Sequence, residues 1–379
     1  MRTKFLHTSD WQLGVTRQFL STGSQARWAE ARFEGIRNLG CISKDERCEF
    51  IVVAGDIFES NQVDRKTVLK ACEALASIEV PIYLLPGNHD PLDAGTVFNS
   101  KLWKDRKPEN VKVIDASDKV FEVRDGVEVV GAPWTSKRPL IDLVATAASR
   151  LDPRPNALRI MVGHGAVDQL SPGRDNPALI SVADAEIALR ERRYHYLALG
   201  DRHSLTSIGP SNRIFYSGTH EAYDFGEIDP GKVLIVELTG DSVSVEPRQN
   251  GRWCFVTHDA QVSTLEDVEA LARHLQGISE KERTVLKLIL VGTLSIQAHE
   301  RLREAEEHAE ELFAAIVRSG SRSELVIMPE ERDFDSLNLA GFAASTVNRL
   351  RDQAAGTGPE ARQAADALAL LIRLVGRAI

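Results

Sequence analysis

The chain predicts a layered α/β domain, followed by a small α+β module and a helical tail. Three observations carry this. Over the first 235 residues, short runs rich in Val, Ile and Leu alternate with amphipathic stretches, the pattern of buried strands joined by helices. The runs are bounded by Gly, Pro or Asp. Past about residue 236 the segments become longer and more charged.

Taken in order, the strand-like runs are "KFLH", "FIVVAGD", "PIYLLPG", "VEVVGAP", "LRIMVGH" and "YLALGD", then "RIFYSGT" and "KVLIVEL". Between them, Gln25–Ile42 and Arg65–Ile78 carry helical periodicity. Strands apolar on both sides need a sheet covered on both faces, so helices are expected to flank it. In the second module, "DSVSVEPRQ" and "RWCFVTHD" predict strands, and "TLEDVEALARHLQGI" predicts a helix opened by a Ser263/Thr264 cap. "RTVLKLILVGTL" predicts a further strand, "QAHERLREAEEHAEELFAAIVRSG" one charged helix and "SELVIMPE" a last strand. A linker is expected around residues 331–336, then two helical stretches split by "GTGPEA". The last, "ARQAADALALLIRLVGRAI", has a broad apolar stripe, which suits either packing within its own domain or docking on a partner.

Composition narrows the class. With 379 residues, 43% hydrophobic and 27% charged, the chain matches a soluble globular protein with one large domain and one or two small ones. The four cysteines form no CxxC pair, which excludes thiolate metal ribbons and a disulfide scaffold, and suits a reducing cytoplasm. No signal-peptide pattern or membrane-spanning window is expected. A net charge of −9 argues against a protein that coats nucleic acid with its whole surface. It leaves room for an enzyme with a local basic groove.

The chemistry lies where the runs end. Asp10 closes the first, Asp56 the second and Asn88-His89-Asp90 the third; His164 closes a later run, and Asp201 and His203 follow another. Loops at the carboxyl ends of strands in open α/β sheets converge on one crevice. Asp, Asn and His together suit hard-to-borderline divalent metals rather than a thiolate site. Singly, an Asp after Gly is a turn or cap residue, but five strand ends delivering such groups in order point to one metal site. Basic candidates for phosphate contact are Arg17, Lys137, Arg138 and Arg202. Trp11 and Trp134 are candidates to stack on a base or sugar.

The succession "SDWQLG … GDIF … GNHD … GH … LGDRH" resembles the calcineurin-like metallophosphoesterases. With "IFYSGTHEAYDFGE" it most resembles the SbcD-type DNA repair exonucleases, nuclease subunits of double-strand-break repair complexes. The resemblance implies a metallophosphoesterase β-sandwich flanked by helices at 1–235. A capping, DNA-binding domain would follow at 236–332, and a helical partner-docking segment at 337–379. It implies two divalent ions: Asp56 shared, Asp10, Gln12 and His203 around one, Asn88, His164 and Asp201 around the other. His89 would be the catalytic residue that stabilises developing charge or protonates the leaving oxygen. Asp90 would either orient His89 or serve as a turn residue before Pro91. The implied partners are DNA, an SbcC-type coiled-coil ATPase and a second copy of the chain, with no membrane.

Two positions depart from that pattern. Gln12 and Asp201 stand where His is usual, which shifts the donor set toward oxygen and favours Mn, with Mg as the alternative. Glu59 stands where some members of that family carry a His or an acid near the substrate, with a plain surface role as the alternative. The expected function is a metal-dependent DNA exonuclease/endonuclease. The alternatives are a phosphodiesterase or phosphatase acting on a small molecule or phosphoprotein, and a non-catalytic DNA- or ATPase-binding scaffold.

Overall fold

The computed structural model describes residues 1–172, 176–240, 242–318, 322–327, 342–354 and part of 356–368. It divides into two compact units, one of residues 1–18 and 22–253, the other of 19–21 and 254–379.

The first unit begins β1 (Arg2–Thr8), α1 (Thr22–Asp45), β2 (Phe50–Val53), α2 (Arg65–Ala76), β3 (Ile82–Leu84), α3 (Lys101–Arg106) and β4 (Val111–Val113). It continues β5 (Phe121–Arg124), β6 (Val127–Gly131), α4 (Leu143–Ser149), β7 (Leu158–His164), α5 (Val182–Arg190) and β8 (Tyr196–Gly200). It closes with β9 (Thr206–Ile208), β10 (Ile214–Tyr216), β11 (Lys232–Thr239) and β12 (Ser242–Gln249). Two six-stranded mixed sheets result, ordered β12-β11-β1-β2-β3-β4 and β5-β6-β7-β8-β10-β9.

Period-two alternation sorts the strand residues into three cores. In β1 and β2, Phe5, Phe50 and Val52 point into the seam between the sheets, where they meet Ile160, Val162, Tyr196 and Ala198 of β7 and β8. Their neighbours Leu6, Ile51 and Val53 face outward against Phe33 and Ile36 of α1 and Ala71 and Leu75 of α2. On the other sheet, Met161, Leu197 and Leu199 face outward against Val144 and Ala147 of α4 and Ala185 and Leu189 of α5. The unit is therefore a helix–sheet–sheet–helix sandwich, and central strands such as β2 and β8 are apolar along their length because both of their faces are covered.

Every run expected as a strand in this unit is one. The expected helices are α1 and α2. The strand expected first in the second module, β12, instead pairs along its whole length with β11, and the unit runs on to Trp253.

The second unit contains β13 (Cys254–Gln261), α6 (Leu265–Gly277), β14 (Thr284–Leu294), α7 (Ile296–Leu312), β15 (Ala315–Arg318), β16 (Glu324–Ile327) and α8 (Phe342–Ala354). β14 is the hub, parallel to β13, β15 and β16. Leu271 and Leu275 of α6 and Leu302 and Ala309 of α7 pack on Leu286, Leu288 and Leu290 of β14. The α6 cap is a capping box, with Thr264 accepting from the backbone of Asp267 and Asp267 answering to the Thr264 backbone. The charged segment expected as one helix to Gly320 ends at Leu312, and Ala315–Arg318 is a strand. Its β-branched Ile316 and Val317 complete the edge of β14, and that pairing overrides the helical pattern before them. The expected linker at 331–336 and most of the final apolar helix lie outside the described residues.

Candidate metal centre

Asp10, Asp56 and Asn88 follow the carboxyl ends of β1, β2 and β3 in one sheet; His164 ends β7 and Asp201 follows β8 in the other. One ligand atom each from Asp10, Asp56 and His164 lies within 4.8 Å of the others, and all three residues are buried.

Holding carboxylates at that spot requires unusual backbone. Asp10 (φ 54°), Gln12 (φ 41°), Asp56 (φ 54°) and Asp201 (φ 98°) are all in the left-handed region. Residues with a Cβ persist there only when their surroundings over-determine the conformation, at about 1–3 kcal/mol each. The surroundings are visible. The two ligand loops are laced together by Asp10 N–H to Gly55 O (3.1 Å), Gln12 N–H to Asp56 O (2.9 Å) and Leu13 N–H to Ile57 O (2.9 Å).

From α1, the guanidinium of Arg32, only 1% exposed, reaches the carbonyls of Trp11 (2.8 Å) and Asp10 (3.4 Å). The Thr219 hydroxyl donates to the Asp10 carbonyl as well (3.0 Å). Two glycines make room: a Cβ at Gly55 would overlap the His164 ring, and one at Gly200 would overlap the Ala54 carbonyl.

Around His164 the hydrogen bonds leave an acceptor cluster. Its Nδ1 lies 2.8 Å from the Ala54 carbonyl, so Nδ1 carries the proton and Nε2 bears a lone pair. That Nε2 faces Asn88 Oδ1 at 2.6 Å, Asp56 Oδ1 at 3.4 Å and Asp201 Oδ1 at 3.9 Å. Acceptors pointed at one another need a cation between them, either a proton or a metal. Without the metal, burial disfavours charge on His164, but Asp56, Asp10 and Asp201 outweigh it and raise the imidazole to about 10. Burial likewise opposes charge on Asp56, yet His164 and His89 hold its carboxyl below the usual range. For Asp10 burial wins and raises it.

A second cluster adjoins it. The His203 Nδ1 lies 3.0 Å from a carboxylate oxygen of Glu227, whose other oxygen accepts the Tyr223 N–H (2.9 Å). Nδ1 is thus the protonated nitrogen, and Nε2 turns toward the Gln12 amide nitrogen at 3.3 Å. The Gln12 Oε1 is buried with no hydrogen-bond partner among the described residues. An orphaned buried oxygen beside an imidazole lone pair, flanked by Asp10 and its left-handed loop, is the donor set a divalent cation takes. The residues fit the metal.

The other expected residues sort as follows. His89 donates its backbone N–H to Asp56 Oδ1 (3.0 Å), and its Nε2 lies 3.9 Å from Asp56 Oδ2. Its ring is oriented by the Glu59 carbonyl, 2.9 Å from Nδ1. The hydrogen bonds of Asp90 go elsewhere: the buried carboxylate accepts the N–H groups of Gly87 (2.8 Å) and Phe58 (2.9 Å), so it shapes the loop, and burial then Asp56 raise it to about 7.

Trp11 requires a correction. It is 0% exposed inside the core with its Nε1 on Thr8, and it offers no face to a base. Trp134 is also buried, and its Nε1 donates to the His164 carbonyl at 2.7 Å. Arg17 lies over the Tyr223 ring, 3.8 Å from the centroid, and 3.6 Å from Asp224. Lys137 and Arg138 are exposed, and Arg202 lines a cleft beside the centre.

Three supports escaped the sequence. Arg32 reads as an ordinary helix-surface charge. Trp134 reads as a stacking residue. Glu227 had one signal, its place at the end of "YDFGE".

Comparison with known proteins gives the following. The sequence profile of the calcineurin-like phosphoesterases matches residues 3–205, more than half of the 379. The uncharacterized metallophosphoesterase YhaO of Bacillus subtilis is 24% identical over 356 residues, covering 89% of this chain and 83% of that one. The DNA double-strand break repair protein Mre11 of Methanococcus maripaludis is 23% identical over 356 residues, covering 85% of this chain and 89% of its own. Among solved structures, TT1561 of Thermus thermophilus is 10% identical with a TM-score of 0.41, over 65% of this chain and 99% of that one.

Proposed function

The chain belongs to the calcineurin-like phosphoesterase family, and on that footing we propose that it is a metal-dependent nuclease that hydrolyses phosphodiester bonds of DNA. The observation that carries the proposal is the ring of acceptors around His164 Nε2 and the orphaned Gln12 Oε1 beside it. DNA as the substrate is supported by the likeness to Mre11, which covers more of the chain than the first unit contains.

Two divalent ions would be held, with Asp56 shared. Asp10, Gln12 and His203 would complete one site; Asn88, His164 and Asp201 would complete the other. The oxygen-rich set suits Mn. When bound, such ions supply Lewis-acid activation of the phosphoryl group and of water. The chain's own contributions are positional. Nδ1–H donations to Ala54 and Glu227 fix both ligand imidazoles with Nε2 inward. His89, anchored by Nδ1–H to the Glu59 carbonyl, keeps Nε2 toward the centre, where the ring once protonated at both nitrogens can donate to a phosphoryl or leaving oxygen. The proposal extends to an SbcC-type coiled-coil ATPase docking on residues 337–379, and to a homodimer. Phe342, 88% exposed at the start of α8, is an apolar contact available to such a partner.

The test is cutting of labelled linear duplex and single-stranded DNA by the purified chain in Mn, Mg, Zn or EDTA, beside Asp56→Ala. Mn-dependent cutting that Asp56→Ala abolishes is expected. Turnover of a chromogenic phosphodiester with DNA untouched would replace the nuclease by a small-molecule phosphodiesterase. No turnover of either would overturn both.

A further inference from the structure

We propose that the cleft opening beside Asp201 and His203 is a second anion subsite, in which Arg202 grips the phosphate next to the one being cut. This rests on the phosphodiesterase reading above and specifies its substrate: a strand with neighbouring phosphates rather than a lone phosphoester.

The cleft is lined by the apolar Val167 and Leu170 and by Asp201, Arg202, His203, Asp224 and Glu227 among its polar residues. Its charges are largely spoken for. Glu227 holds His203 and the Tyr223 N–H. Asp224 lies 3.6 Å from Arg17, and Asp201 points at the metal centre, 3.9 Å from His164 Nε2. Arg202 is the cation left over.

Its Nε donates to the Thr206 hydroxyl at 2.8 Å, and that hydroxyl donates onward to the Ser204 carbonyl at 3.0 Å. The anchor fixes the plane of the guanidinium. Among the described residues, its two terminal nitrogens have no hydrogen-bond or ion-pair partner. A planar guanidinium held at Nε with its terminal edge open presents the two-pronged donor that matches phosphate oxygens. Leu170, 41% exposed, gives the same cleft an apolar wall suited to a sugar or base face. Because Arg202 sits between Asp201 and His203 in the chain, this donor is one residue removed from either candidate ligand. A lone phosphate held at the metals leaves it idle, whereas a neighbouring phosphate would engage it.

The experiment removes the two partners in turn. One short oligonucleotide carries ordinary linkages; its analogue carries a neutral methylphosphonate beside the scissile bond. Wild type should prefer the charged substrate in kcat/KM by roughly ten- to a hundredfold, the range for a hydrogen bond to a charged group. Arg202→Ala should abolish the preference, and Arg202→Lys, which keeps charge but loses the fork, should retain part of it. A preference that persists in Arg202→Ala, or none in wild type, overturns the subsite. If wild type cuts neither oligonucleotide, the nuclease reading fails, and equilibrium binding of the same pair in EDTA decides the subsite by itself. Tighter binding of the charged strand, lost in Arg202→Ala, supports it, and equal binding or none refutes it.

Discussion

Replacing Glu227 by Gln should weaken cation binding while leaving the residues proposed as ligands intact. The Glu227 side chain is 4% exposed, and its two oxygens serve two donors, His203 Nδ1 at 3.0 Å and Tyr223 N at 2.9 Å. A glutamine has one oxygen. Whichever donor takes it, the other meets an amide NH2 group, donor against donor. If His203 loses its acceptor, its ring can turn or change tautomer, and Nε2 no longer waits unprotonated beside Gln12.

Partners of this kind are worth about 10–100-fold in metal affinity, or roughly 1.4–2.7 kcal/mol. The orphaned donor costs a further ~1–3 kcal/mol of fold stability whether or not metal is present. Calorimetric titration of the full chain with Mn, alongside melting in EDTA, separates the two effects. The expected result is a Kd raised about 10–100-fold in Glu227→Gln, with a larger rise in Glu227→Ala. A Gln variant that binds Mn as wild type does, yet melts lower in EDTA, would make Glu227 purely structural and refute the tautomer argument.

Two further outcomes follow from the packing. His7, between the Tyr196 hydroxyl and the Leu199 carbonyl, and His220, against the Arg32 carbonyl, are each held down to about 3, by burial and, for His220, also by the Arg32 charge. The unfolded chain takes those protons below about pH 6.5 and the folded chain refuses them. Their contribution is therefore complete above that pH and should fall by about 2 kcal/mol per histidine by pH 5. It is read as the difference in urea unfolding in EDTA between wild type and His7→Gln or His220→Gln, because Asp90 and His164, both raised, titrate in the opposite sense. A difference that does not change with pH would contradict it. Gly200→Ala, whose Cβ would overlap the Ala54 carbonyl, should lower the melting temperature by the equivalent of ~3 kcal/mol and weaken Mn binding. Gly277→Ala, with open space around it, should be neutral or mildly stabilising.

How much of this was legible in the sequence depended on whether a residue's neighbours were local. The long strands announced themselves as apolar runs, and because strand ends converge, so did the collection of Asp, Asn and His at one place. The three-residue strands β4 and β9 carry too few side chains to show a period, and β5 hides behind its charges. Ala315–Arg318 looked helical because a charged helix precedes it; only its pairing to β14 makes it a strand. Trp11 looked like a stacking group because it neighbours Asp10, but the left-handed turn at Asp10 and Gln12 sends its ring into the core. Arg32 and Glu227 matter through contacts such as Arg32 to Asp10, 22 positions away, and Glu227 to His203, 24 away, and no local pattern reports those.

The centre draws Asp10 and Asp56 from one sheet and His164 from the other. A cation held there would work as a rivet through two plates that are otherwise joined by an apolar seam. Slip of one plate against the other would pull the carboxylates and the imidazole apart together. Trimming a seam residue such as Phe50, itself no proposed ligand, would thus be felt as poorer metal retention before it was felt as unfolding, and metal would stiffen the sandwich in return.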